Sequence, residues 1–452
     1  MVQVSSSKAG FSRKEDYLSA FESFEKRNAK NPLWMDETRK AAMKRFARFG
    51  FPTMREENWR YTNVRPIEET PFQFFSDSPK TLLPSALETF DLGQKKGYQL
   101  VFINGLYHPK LSRPADSKGG LYVRNLESVL TSNPKFVEPY LARLAHYDQD
   151  SFTALNTAFI REGAFIYLPE GEILDQPIHI LFVSVSNPNN MISQPRTLIV
   201  AGKDSKATVI ESYVSSEDIC YFTNAVTEIS LAEGSSLDHL KIQRESTRAF
   251  HVGTAYVRED SGSTFTSFSF AVGSLLGRNN LNVALDGKGA ECELNGLYLA
   301  AGSQHIDNNT LIDHPKPCGT SHQVYKGILA GRATGIFSGK IFVHQDSQKT
   351  DAHQVNKNLL LSKEAQMTTK PHLEILADDV KCTHGAAVGQ LDEEAIFYLK
   401  TRGISQEAAA KLLSYGFANE VINDIQIEGV RDELNRLVSE WLEKPAYWGA
   451  VS

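Results

Sequence analysis

Residues 234–242 read GSSLDHLKI, residues 262–272 read GSTFTSFSFAV and residues 289–299 read GAECELNGLYL. Each stretch opens on a glycine and continues as a strand-like run. Gly234, Gly262 and Gly289 stand 28 and 27 residues apart, the kind of period expected of successive coils of a β-solenoid. Further short runs at residues 197–200, 208–213 and 336–343, bounded by glycine, aspartate, asparagine and serine, read as strands too. Short strands at such intervals also suit an antiparallel β-sandwich. The spacing favours the solenoid and leaves both all-β architectures open.

Outward from this region the pattern turns helical on both sides. Between Ser12 and Gly50, apolar residues recur at helical spacing at Tyr17, Leu18, Phe21 and Phe24, then at Ala42, Met43, Phe46 and Phe49. Two amphipathic helices are predicted, the second capped by Asp36 and stopped by Gly50 with Pro52 beyond. Short apolar runs among prolines follow, including Val101 to Ile103 ahead of Asn104-Gly105, and strands are expected from about Asp150. Past residue 390, Asp392 is placed to cap a helix that runs through Thr401 and ends at Gly403. Ser405 is placed to cap another that Gly416 ends, and a third covers about 430–442. Ile396, Leu399, Leu412 and Leu413 would give this hairpin an apolar face. The chain is thus expected to divide into a helical and mixed α/β region (1–150), a β core (151–390) and a C-terminal helical region (391–452).

Composition removes several function classes. The 452 residues, 41% hydrophobic, can bury a sizeable core. A formal net charge of −6, with 48 basic residues scattered rather than clustered, argues against nucleic acid as a partner. The longest apolar runs, such as residues 178–185, fall far short of the roughly 18 to 20 residues that span a bilayer, so no membrane contact is expected. Residues 1–10 lack the apolar core of a secretory leader. Cys220, Cys292, Cys318 and Cys382 include no C-x-x-C pair, which predicts reduced thiols in a cytoplasmic protein. Neither phosphate-loop motif occurs, so this chain itself should bind no nucleotide, and H-E-x-x-H and G-x-S-x-G are absent as well.

Two constellations carry chemistry. In ADDVKCTHG (residues 377–385), an extended backbone would put Val380, Cys382 and His384 on one face and Asp379, Lys381 and Thr383 on the other. The Cα atoms of Cys382 and His384 would be roughly 6.5 to 7 Å apart, close enough for both to reach one iron or zinc ion. Two ligands do not complete a site, so the others must come from elsewhere. A buried cysteine beside a hydrogen-bonded histidine, or a Cys/His nucleophile dyad, stays open on spacing alone. The second constellation gathers His314, Cys318 and His322 within nine positions. Pro315 and Pro317 make it a turn between strands, where histidine, threonine and asparagine commonly form polar ladders inside a solenoid.

These residues resemble the SufB/SufD family. The similarity is dense from Leu311 to Phe417 and includes Asp313-His314, residues 325–328, 338–340, 348–352, 356–362, and the run 369–389 around Cys382 and His384. A further signature lies at residues 50–53 with Glu57, Trp59, Tyr61 and Thr62. The run 377–385 is closer to the SufD type than to SufB, whose N-terminal cysteine motif is absent. The resemblance implies a right-handed parallel β-helix core flanked by helical regions, which selects solenoid over sandwich. It implies a non-enzymatic scaffold for iron-sulfur cluster assembly that pairs with a SufB paralogue. A SufC ATPase would dock on the C-terminal helices, with the hairpin from Asp392 to Gly416 as the dock. Indirect partners would be a cysteine desulfurase and a sulfur-transfer protein, and a homodimer is plausible without SufB. His384, with Cys382 beside it, is implied to meet a transient iron-sulfur cluster at the SufB interface. The rival class is an enzyme on the same fold, such as a polysaccharide lyase, which would act without partners.

Overall fold

The computed structural model describes residues 14–27, 32–74, 87, 90, 92, 97–116, 119–185 and 190–444. Residues 1–10, read above for a leader, lie outside them. Between residues 165 and 389 the chain winds through about eight turns of a β-solenoid. Each turn lays one strand into each of two sheets, and within each sheet the solenoid strands pair in parallel. One residue column shows the register: Ser236, Thr264, Glu291, Thr320, Asp351 and Lys381 stand on consecutive rungs, in steps of 27 to 31 residues.

The three glycines that set the period share one corner. Their φ angles are +68°, +63° and +69°, in the left-handed region where glycine has no Cβ penalty. Each donates its N–H to the carbonyl just ahead of the corner residue on the next coil: Gly234 to Ser261, Gly262 to Lys288, Gly289 to Pro317. The ladder runs on with Cys318 and Lys349 at the same conformation, φ +63° and +64°. The glycine period therefore stops at Gly289 while the structural period does not.

Apolar side chains such as Val209, Leu237, Phe265, Leu294 and Ile341 fill the bore. Helices cover the outside. Lys14–Arg27 and Leu33–Phe49 pack Tyr17, Phe21, Met43 and Phe46 toward Phe152, Phe222 and Phe250. Across the other sheet, Gln406–Ile422 and Glu428–Leu442 cover Leu240, Phe268, Leu297 and Ile328.

Several helix boundaries differ from expectation. Helix Leu33–Phe49 begins directly after Pro32, so Asp36 lies in its first turn rather than at its cap, paired with Arg39 at 3.4 Å. Met35, fully buried, anchors that earlier start. Asp150 opens a helix, Ser151–Ala158, where strands were expected, accepting a hydrogen bond from the Thr153 N–H at 2.6 Å. All eight of its residues are buried, so it has no polar face to give it a helical period. Gly416 does not end its helix, which continues to Ile422. The roughly 1 kcal/mol penalty of an internal glycine is outweighed by burying Ala418, Val421 and Ile422. Asp392 and Ser405 do cap their helices, and Gly403 (φ +84°) follows the first.

A buried ion pair locks the N-terminal region to the solenoid. Arg196 donates to Glu228 Oε1 at 2.6 and 3.1 Å, both side chains fully inaccessible. Glu228 also accepts the backbone N–H groups of Ala142, Leu144 and Ala145, while Arg196 donates to Asn156 and Thr157. Removing one member strands a buried charge. Glu228→Ala is expected to lose about 3 to 5 kcal/mol, read as a lower midpoint in urea unfolding; an unchanged midpoint would deny the pair this role.

Candidate functional site

The two ends of the solenoid are built differently. At the N-terminal end the sheets finish in two-residue strands, Leu106–Tyr107 and Ala115–Asp116. At the C-terminal end they finish in Gln366–Ile375 and Lys381–Gly389, ten and nine residues long, and neither contains a buried residue. Among the described residues nothing pairs with their outer edges. Ile375 and Val388 within them and Leu376 just beyond are exposed. Long open edges of this kind recruit another chain unless something covers them.

Cys382 and His384 sit on that last rung. In register, Cys382 stands over Ala352, Ser321 and Cys292, and His384 over Gln354, Gln323 and Leu294. All six residues beneath are buried in the solenoid. Cys382 and His384 are therefore the uncovered tops of two interior columns, while Lys381 and Thr383 continue the outward face, as the alternation predicted. Partial burial pushes the Cys382 thiol pKa up and the Asp351 charge adds to this, against a hydrogen bond with the Ala352 backbone. The thiol is thus protonated at neutral pH, and a metal or a partner's charge is needed to make it a thiolate ligand.

The second constellation is not brought together. His314 points inward and is fully buried, with Nε2 2.9 Å from Ser321 Oγ. Cys318 is exposed at the corner, and His322 points outward beside Asp351 and His353. The interior ladder is real: Thr310 donates to Gln323, Gln354 donates to Gln323, and Asn358 to Asn356.

Sequence reasoning did not find a charged network deeper in the bore. Glu211 accepts from Thr197, Tyr213 and Thr227 and lies 3.1 Å from His239 Nε2. Burial opposes its charge, yet these hydrogen bonds and His239 hold its pKa at about 2. Nearby, the Lys241 ammonium reaches His251 and Asn279, and burial pulls its pKa down to about 8 against the pull of Glu211 and Glu245. Glu211, His239, Lys241 and Asn279 line a cavity of about 40 Å³, room for a water molecule. Their only trace in the sequence is polar residues at inward positions of strands.

Residues 183–417 match the family model described as the SufBD core domain of SUF-system FeS cluster assembly, and residues 11–180 match that of the SufBD N-terminal region. The chain belongs to the SufBD family. It is 32% identical over 396 residues to an iron-sulfur cluster assembly SufBD family protein of Synechocystis, covering 86% of this chain and 87% of the relative. To the iron-sulfur cluster assembly protein SufD of Escherichia coli it is 30% identical, covering 87% and 89%. To that of Bacillus subtilis it is 26% identical, covering 93% and 96%. As a SufBD protein the chain serves iron-sulfur cluster assembly by the SUF system. The N-terminal signature is structural: the Arg278 guanidinium lies 3.9 Å from the centre of the Trp59 ring, and Thr62 and Arg278 both donate to Asp307.

Burial lowers the His314 pKa from 6.5 to about 4. The unfolded chain takes up a proton between these values that the folded chain refuses, so stability falls as pH drops through that window. His314 accounts for about 3 kcal/mol of this loss, and His251, also lowered by burial, adds to it. His314→Gln should flatten the dependence of unfolding midpoint on pH between 6.5 and 4; an equally steep profile would contradict the assignment.

Proposed function

We propose that this chain is the SufD-type, non-catalytic subunit of a SufB–SufC–SufD assembly. Its open C-terminal rungs pair with a SufB-type paralogue, and Cys382 and His384 supply part of the ligand set of the nascent cluster there. The observation that carries this reading is their position as the uncovered tops of interior columns, on an edge strand whose outer side nothing among the described residues pairs with. A partner continuing the solenoid would close over them and add the ligands that two side chains cannot provide. The cluster is cargo in this reading, built at the interface and passed on.

The C-terminal hairpin is the proposed dock for the SufC ATPase. Helix Glu393–Thr401 buries no residue, and Phe397, Tyr398 and Leu412 are 67, 57 and 51% exposed. Of the four residues expected to give the hairpin an apolar face, Ile396, Leu399 and Leu413 are half-buried, and the outward apolar surface is Phe397, Tyr398 and Leu412. The following helix grips the solenoid wall: Lys326 donates to Glu420 and to the Phe417 carbonyl and lies over the Phe417 ring. Lys326 belongs to strand Thr320–Leu329, two rungs from Cys382. Movement of SufC on nucleotide binding would reach the cluster end through this contact, provided SufC binds the two arrangements with different affinity.

Co-expression with the SufB- and SufC-type partners tests both parts. His384→Ala should co-purify with its partners yet lose most of the cluster formed on anaerobic reconstitution; an undiminished cluster yield would remove His384 from the site. The Phe397→Ala/Tyr398→Ala pair should weaken SufC capture at least tenfold without changing the melting temperature, and retained capture would place the dock elsewhere.

A further inference from the structure

The outer face of the same end carries a second set of ligand-type side chains. His322 and His353 are partners in the parallel register, on neighbouring rungs, with ring centroids 5.1 Å apart. Asp351 lies two residues before His353 and so on the same face. The ligand atoms of His322, Asp351 and His353 all lie within 4.8 Å of one another. His353 and Asp351 stand 31 and 29 positions beyond His322 along the chain, and only the coil length of the solenoid brings them to it.

Their polar atoms are arranged as a ligand set rather than as a hydrogen-bonded cluster. His353 Nδ1 is 2.5 Å from the Thr383 hydroxyl on the last rung, which holds the ring and leaves Nε2 facing the other two groups. A metal-binding histidine is commonly anchored through its second nitrogen in this way. His353 Nε2 lies 2.8 Å from Asp351 Oδ1. That contact lacks hydrogen-bond geometry, however, and Oδ1, closed off from solvent, has no hydrogen-bond partner. Two imidazoles and one carboxylate with open positions suit a divalent first-row transition metal, ferrous iron in particular. Ligand atoms around such an ion are about 3.0 to 3.4 Å apart, and modest rotations of these side chains, His322 exposed and the others half-exposed, close the difference.

We propose that His322, Asp351 and His353 form a binding site for one divalent transition-metal ion, with ferrous iron as its physiological occupant. The choice of iron rests on the cluster-assembly reading; the site itself does not. Three protein ligands at a solvent-facing position make a site that releases its ion readily. It stands on the outer side of the two rungs directly beneath the one that carries Cys382.

The test uses the untagged full-length chain under anaerobic conditions, titrated with Fe²⁺ alone and, separately, Co²⁺ alone in competition with a chromophoric chelator. Wild type should bind one equivalent; His322→Ala and His353→Ala should each weaken binding at least tenfold, and Thr383→Val by a smaller factor. The melting temperatures of the variants should match wild type, because none of the three ligands is buried. His384→Ala should bind the ion as wild type does, which separates this site from the cluster ligands and lets either reading fail alone. Absence of binding by wild type, or full binding by both histidine variants, overturns the proposal.

Discussion

The structure depends on one constraint: every coil must close so that its strands fall in register on the coil before. Parallel rungs lie about 4.8 Å apart, so a residue's neighbour in space is its counterpart some 30 positions away. Each column must then be chemically consistent along its length. Apolar columns make the bore, Thr, Gln and Asn columns satisfy one another as ladders, and the left-handed corner recurs once per coil. Where a charge enters the bore, as at Glu211 or Lys241, neighbouring columns supply its partners.

A ladder of this kind has two ends, and the sequence treats them unequally. The N-terminal end tapers into very short strands, with the Arg196–Glu228 pair holding the N-terminal region against the solenoid. The C-terminal end stops at full strand length with exposed apolar side chains at its edges. Both groups of metal-ligand type described here, Cys382 with His384 and His322 with Asp351 and His353, lie at that unprotected end, on opposite faces of the same sheet. The proposed cluster site and the open edges of the two sheets are therefore one place.

Much of the fold was legible because it is local. Strand runs, the corner glycines at 234, 262 and 289, and the caps at Asp392 and Ser405 depend on backbone preferences within a few residues. The solenoid lost its glycine signature beyond Gly289 because Cys318 and Lys349 take the left-handed conformation themselves, held by the corner hydrogen bonds. Helix Ser151–Ala158 escaped detection because burial on all sides erased its period, and the helix through Gly416 because packing overrode a local stop signal.

By itself the sequence determined that Cys382 and His384 share a strand face, since alternation is a property of extended backbone, and its likeness to the SufBD family named the process the chain serves. Tertiary structure alone decided that this face is the open end of the bore, that His314, Cys318 and His322 part company, and that His322 meets His353. Spacing along a chain reports on neighbours in one strand or helix. Which rung lies over which is set by coil lengths and packing summed over the whole solenoid.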